Sequence, residues 1–542
     1  MSELKPFRFW CQKVLPLVYD DSLSYYELLC KVVEYLNNTI TDVNKLSEEF
    51  QTLYKYVHDY FDNLDVQDEI NKKLDEMAQN GELYAYIQKF LNIFTTPILY
   101  GCVGDGVTDD TENFKKMLDA GNKYIDLVGK TYLLSESIDI DARIIKNGTL
   151  KTNAFASTQN EGFINIKTGN TIVDSVNINC GAFMDRPFYG QPKYEEYLAL
   201  RAKTLVALKI DGATDVTITN CKNSNCLNFV FISDSSNVKI SNCEALQTMA
   251  DGFYVTGTSH DITCNNCICT SCMDDCYSVN GFYADLANNP TRVVYSNCTA
   301  VGCFGAAIAL LSCSDCEANN ITSYGNKYSP IKLGGLEVNN KYASPSKNLL
   351  LNNITCELNF GVALVNNALN IIDGSDECVS ENISLSNFIF TYPGNKVKCL
   401  CHWCTRLNLT NITFNGVEFA IENSTNVNLV GSNLYPIDCT LTNLTNFNIT
   451  NNILSLGGIT LGSCNNGNIK NNNITSIYVN NCKNINSDVK IEGIKSSDLT
   501  SEPYTKTTMY DMMKDGCIVH SDDGKIGFIF NKTVHWLSDP IS

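Results

Sequence analysis

A mainly β fold, a right-handed parallel β-helix with an N-terminal α-helical module and a small C-terminal β unit, is what this 542-residue sequence predicts. Two observations lead there. From Ala213 onward, an Asn followed by Cys, Ile, Phe or Leu recurs at Asn220, Asn242, Asn266, Asn297, Asn320, Asn353, Asn387, Asn411, Asn433, Asn452 and Asn473, in steps of 22, 24, 31, 23, 33, 34, 24, 22, 19 and 21 residues. Most of these asparagines follow a short alternating apolar strand, such as VTIT, VKIS, VVYS, LLLN, LNLT or FNIT. A period near 22 with occasional additions of about ten residues is the pattern of a solenoid whose extra residues sit in loops. Short strands, the lack of a helical period, and Asn and Gly at the turns select a β-helix over a leucine-rich horseshoe. Asn suits a repeated corner because it tolerates left-handed backbone angles and its amide can bond to the next coil. Roughly 13 coils at about 4.8 Å each would give a rod about 60 Å long.

The elements follow in order. Residues 1–95 read as helical: Val33, Leu36, Ile40, Val43, Leu46, Phe50, Leu53, Val57, Tyr60 and Leu64 keep 3-and-4 spacing close to a heptad seam. That seam suits self-association through a coiled coil, or packing of an amphipathic helix within one chain. A second helical stretch, Val66 to Phe90, follows the polar DNLD break. Residues 96–150 read as the N-terminal cap of the β-helix. There CVGDGVTDDTENFKKML (102–118) gives a turn, capping residues Asp109 to Thr111 and a short amphipathic helix able to cover the open first coil. Its aspartates are expected to make turns and caps rather than to bind metal or catalyse. The β-helix proper occupies 151–487. Residues 488–542 lose the Asn period and end in GCIVHSDDGKIGFIFNKTVHW, a small β unit serving as an end cap or a trimer clasp.

Bulk properties narrow the function. With 44% apolar and 18% charged residues the chain folds, and a net charge of −19 opposes binding to nucleic acid or an anionic membrane. No apolar run approaches the ~20 residues of a membrane span, so no membrane insertion is expected. The N-terminus MSELKPFRFWCQ lacks the layout of a signal peptide, which points to synthesis in a cytoplasm. The 25 cysteines are then expected to be reduced, buried, small hydrophobes. The pairs Cys264/Cys267, Cys269/Cys272, Cys313/Cys316 and Cys401/Cys404 have zinc-site spacing, yet stacking in the core is the expected use. No cofactor is expected. The N-x-S/T sequons are by-products of the repeat.

Two resemblances attach to these segments. GDGVTDDT followed by an Asn-punctuated β-helix resembles the pectate-lyase-like superfamily, as found in bacteriophage tailspikes. The opening FRFWCQKVLPLVYDDSLSYYELLCKVVEYLNNT is similar to the virion-docking module of receptor-binding appendages from phages of Gram-positive hosts. Together they imply a homotrimeric spike in the virion tail. Its helical end would join other tail proteins, and its β-helix would meet host surface polysaccharide.

Residues 247–281 carry the chemistry. Asp251 leads into GFYV, and 24 residues later Asp275 leads into CYSV. If 24 residues make one coil, the two carboxylates stack. The stretch ADGFYVTGTSHDITCNNCICTSCMDDCYSVNG resembles the polygalacturonase family of glycoside hydrolases, in which NTDGxDV is followed one coil later by DDCxxxNSG. The resemblance implies a catalytic trio of Asp251, Asp274 and Asp275, with Asp274 as general acid and the other two activating water. Three crowded carboxylates cannot all ionise at their usual pKa, so one proton is retained. Structural β-helix corners and a bound ion are the alternative uses of these aspartates.

Two departures mark the neighbouring coils. Phe304 of GCFGAAI replaces the family's histidine, and Pro330-Ile331-Lys332 stands where the family has Arg-Ile-Lys, so only Lys332 is left to hold a substrate group. The insertion around FMDRPFYGQPKYEEYLALRAK adds Phe183, Arg186, Phe188, Tyr189, Tyr194 and Tyr197. Its aromatics suit sugar stacking or contacts between subunits. Lys332, Tyr189, Tyr194 and Arg186 are the substrate-binding candidates, with Glu195 and Glu196 as reserve acids. The competing functions are a depolymerase that hydrolyses the polysaccharide it binds (or cleaves it as a lyase), a non-catalytic receptor-binding adhesin, and a structural virion component with no carbohydrate role.

Overall fold

A computed structural model describes residues 94–488 apart from short gaps at 328–330, 359–367, 393–396, 436–438, 455–457, 475–476 and 481. It also describes 23–40, a few residues between 55 and 77, and three strands between 518 and 536. The chain divides into two compact units, Met1–Leu91 and Asn92–Ser542.

In the first unit, helix α1 spans Tyr25–Ile40. Its start is a capping box: the N–H of Glu27 donates to the Ser24 hydroxyl (3.3 Å), and the Glu27 carboxylate accepts the N–H of Ser24 (2.9 Å). Leu28 and Val32, four residues apart, are buried. Val33, Leu36 and Ile40 of the heptad seam fall in α1. The remainder, Val43 to Leu64, lies outside the described residues, as does most of Val66 to Phe90.

The second unit is the β-helix. One sheet holds 14 parallel strands, from Ile138–Ile140 to Ile477–Asn480, each paired with the strand of the next coil. Twenty-two further strands are joined in a second sheet, to which many coils contribute two strands each. Alternate side chains point inward, so Val238 and Ile240 stack on Ile262 and Cys264, all buried. Each such fully buried aliphatic side chain stabilises by about 1.5–3 kcal/mol, which makes the stack of coils one continuous core. Every described cysteine except Cys30 is buried and none forms a disulfide, as core packing requires.

The Asn corners are real for eight coils. Asn220, Asn242, Asn266, Asn297, Asn320, Asn353, Asn387 and Asn411 all have φ between 52° and 56°. Their amides bond from coil to coil, as from Asn266 to Asn242 (2.8 Å) and from Asn353 to Asn320 (2.7 Å). At Asn433, Asn452 and Asn473 the expectation fails. The left-handed residues there are Gly431, Asn451 and Asn471, one or two places earlier. Asn452 is buried, accepting from the N–H of Ser432 (2.8 Å) and donating to the carbonyl of Leu429 (2.9 Å). A second left-handed ladder, which the Asn-plus-apolar pattern missed, runs through Asp215, Asn237, Asp261, Arg292, Asp315, Asn348 and Asn382 and on to Asn484.

Asp109 to Thr111 lead into the short helix, but Asp110 at its N-cap makes no side-chain bond to the helix itself. Asp110 is buried and accepts the N–H groups of Val103 (2.7 Å) and Gly104 (3.0 Å) at the start of helix α2 (Thr111–Asp119). Asp105 closes a turn by accepting from Val107 and Thr108, and Asp109 accepts from Thr111. Phe114 and Met117 of α2 join the core. At the other end, Ile518–His520, Ile526–Phe530 and Thr533–Trp536 make a three-stranded antiparallel sheet, the small C-terminal β unit.

Candidate active site

Five consecutive strands of the 14-stranded sheet position the acidic residues: β1 (Val230–Ser233), β2 (Phe253–Thr256), β3 (Tyr277–Asn280), β4 (Ile308–Leu311) and β5 (Ile331–Gly334). Their first residues align as Val230, Phe253, Tyr277, Ile308 and Ile331. The residues two places before β1 to β4 therefore stack as Asn228, Asp251, Asp275 and Ala306. Inside, the rings of Phe253 and Tyr277 lie stacked, 5.4 Å apart and 6° from parallel, which locks the register of the two acidic coils.

The stack is tightly bonded. The Asn228 amide lies 3.4 Å from Asp251 Oδ2, and the N–H of Asp275 donates to Asp251 Oδ1 (3.1 Å). Asp275 Oδ1 accepts the N–H of Ala306 (2.7 Å) and the ammonium of Lys332 (2.8 Å). Lys332 is in register with Ala309 of β4, so its arm crosses the coil between, where a methyl group leaves room. Asp274, beside Asp275, receives two guanidinium groups: Arg201 at 3.0 Å on Oδ2 and Arg186 at 3.3 Å on Oδ1. Asp251 and Asp275 are 7% and 5% exposed, whereas a quarter of the Asp274 side chain meets solvent.

One oxygen from each of Asp251, Asp274 and Asp275 lies within 4.8 Å of the others. At that distance and an effective dielectric near 20, two negative charges repel by about 3 kcal/mol, enough to keep one carboxyl protonated. Burial, followed by the charges of Asp274 and Asp275, drives the Asp251 carboxyl well above its ordinary value. Burial pushes on Asp274 too, but Arg201, Arg186 and Lys332 outweigh it and hold that carboxyl low. The two carboxyls are thus pushed in opposite directions, Asp251 towards its protonated form and Asp274 towards its ionised form. Three cationic side chains, Arg186, Arg201 and Lys332, contact this acidic group.

Arg186 and Arg201 both come from the insertion at 181–204. Its helix α3 (Tyr194–Arg201) buries Tyr197 against Met249, Ala250 and Met273, and the phenol donates to the carbonyl of Met249 (2.5 Å). Phe188 packs on Phe304 with ring centres 5.0 Å apart, and the Arg186 guanidinium sits 4.5 Å from the same ring. Phe304, where the resemblance has a histidine, is thus the floor on which the insertion rests.

The substrate-binding candidates separate. Tyr189 is 85% exposed and meets Tyr194 edge-on at 5.4 Å, an outward aromatic pair. Arg186 and Lys332 are engaged by the aspartates. Glu195 and Glu196 are exposed on α3 and outside the acidic group. Among the described residues, the C-x-x-C pairs build no metal-ligating group of three.

Sequence reasoning missed three contributors. Asn228 was legible as the residue one coil before Asp251, two places ahead of an apolar strand. Arg201 had no signal of its own: it ends the short helix of the insertion, outside the repeat. Gly305 faces the cluster so closely that an added Cβ would lie 2.5 Å from Asp275 Oδ1.

Residues 206–328 match the family model described as the right-handed beta helix region. The preneck appendage protein of Bacillus phage PZA is 26% identical over 327 residues, covering 54% of this chain and 36% of that protein. The pre-neck appendage protein of Bacillus phage B103 is 24% identical over 377 residues, 63% of this chain and 42% of that protein. The chain thus spans well under half the length of these curated relatives. The crystal structure of the N-terminal fragment of bacteriophage phi29 gene product 12 aligns with 76% of this chain and 73% of that one, at 17% identity and a TM-score of 0.48. The chain carries a right-handed β-helix and is similar in sequence to phage appendage proteins.

Proposed function

We propose that the chain is a phage tail appendage that binds host cell-surface polysaccharide and hydrolyses it at Asp251, Asp274 and Asp275. One observation carries the catalytic part: the buried Asp251, whose carboxyl is pushed up by burial and neighbouring charges, lies within 4.8 Å of the partly exposed Asp274, whose carboxyl two guanidiniums hold low. Hydrolysis needs both states at once, an acid for the departing glycosidic oxygen and a carboxylate to take a proton from the attacking water. In this reading Asp251 supplies the proton, Asp274 receives one, and Asp275 holds the two in register. The exposed pair Tyr189 and Tyr194 stacks on the sugar chain.

The helical N-terminal module joins the spike to other tail proteins, the subunits associate as a homotrimer, and the protein is made in the host cytoplasm. A net charge of −19 fits a partner other than nucleic acid or anionic membrane.

A second reading, a purely adhesive receptor-binding protein, is favoured by the two guanidiniums on Asp274 and the ammonium on Asp275, since a docking point for the insertion would need the same pairing. Incubating the purified chain with host wall or capsular polysaccharide separates the two. New reducing ends support hydrolysis, products absorbing in the ultraviolet indicate a lyase, and binding without products leaves the adhesin.

A further inference from the structure

We infer that Arg186 and Arg201 are positioning residues for the acidic cluster, so that the insertion and not the β-helix alone completes the site. The inference deepens the hydrolytic reading and rests on it. Both guanidiniums reach Asp274, one on each carboxylate oxygen, and both come from the segment between 181 and 204. A carboxylate held at both oxygens is fixed in orientation as well as in charge.

Each arginine is itself anchored. Arg186 donates to the carbonyl of Met273 (3.2 Å), its backbone N–H faces the Met273 sulfur (3.0 Å), and its guanidinium lies on the Phe304 ring. Arg201 leaves the last turn of α3, which Tyr197 pins to Met249. The charged and titratable groups around Asp274 are Asp251, Asp275, Tyr254 and Lys332 from the coils, and Arg186, Tyr197 and Arg201 from the insertion. Lys332 is already engaged with Asp275, so lifting the insertion would strip Asp274 of both its direct partners. The packing of the insertion and the charge pattern around Asp274 are therefore coupled through these two arginines.

The test uses the full chain carrying Arg201→Met, Arg201→Lys and Arg186→Met. With the arginine gone, the acidic limb of the pH profile for reducing-end release should move up by about one pH unit, and Arg201→Lys should restore most of it. The drop should appear in kcat more than in KM. A readout independent of activity is the 13C carboxyl titration of Asp274, assigned with Asp274→Asn, which should rise in the same two Met variants. If the wild type hydrolyses nothing, the hydrolytic reading fails while that titration still reports on positioning. The inference is overturned if both Met variants, folded by circular dichroism, keep the wild-type titration of Asp274. A lower melting temperature with no change in titration would equally reduce the arginines to structural struts.

Discussion

The backbone N–H of Asp275 donates to Oδ1 of Asp251 across 3.1 Å, tying the second acidic coil to the carboxyl of the first. Asp251 is therefore a hydrogen-bond acceptor that need not be charged. Burial and two neighbouring carboxylates raise its pKa. The sign follows: between the unfolded value of about 4 and the higher folded value, the native state binds more protons, so stability falls as pH rises through that window. Asp251→Asn keeps an acceptor oxygen without the charge. Its melting temperature should exceed that of the wild type by roughly 2–4 °C at pH 8 and match it near pH 4, as scanning calorimetry would show.

Asp274 has the opposite sign. Its carboxyl is held low by Arg201 and Arg186, so its contribution is present above about pH 4 and disappears as pH falls through the folded value. Asp274→Asn should cost about 1–2 kcal/mol at pH 7 and less in acid, because two half-buried guanidiniums lose their partner. Limited proteolysis should cut the variant faster between 181 and 204. Equal protease resistance in the two proteins would contradict the docking role.

Gly305 has no room for a side chain. A Cβ there would lie 2.5 Å from Asp275 Oδ1 and from the Asp274 carbonyl carbon. Gly305→Ala should lower stability by about 1–3 kcal/mol and reduce glycan cleavage more than tenfold by displacing both aspartates.

The buried thiols should be silent in the native protein. Burial raises Cys356 to about 12 and Cys378 to about 11, which leaves almost no thiolate at pH 8. A thiol reagent should label Cys30 in the native state and reach the 21 buried cysteines among the described residues only after unfolding.

The repeat was legible because one physical demand recurs in each coil. A residue must turn left-handed, and Asn220 to Asn411 meet that demand with one residue type. The same reading slipped at Asn452, where asparagine is used inside the coil for its amide and the corner falls on Asn451. The second ladder escaped because Asp215, Arg292 and Arg406 break its spelling while keeping its backbone angle. The stacking of Asp251 on Asp275 could be read from a 24-residue repeat, whereas the charge pattern around Asp274 could not. That depends on Arg186 and Arg201, which lie 88 and 73 residues before Asp274 on an insertion outside the period.

If the acidic cluster cleaves host surface polysaccharide, the cleavage rate must depend on both Asp251 and Asp274. The most direct measurement compares the rate of reducing-end release from host surface polysaccharide by the wild type, Asp251→Asn and Asp274→Asn at one pH, with circular dichroism confirming the fold of each. Cleavage by the wild type with a loss of at least about 100-fold in both variants is the expected result. Wild-type protein that binds the polysaccharide and releases nothing, or variants that cleave at the wild-type rate, would contradict it.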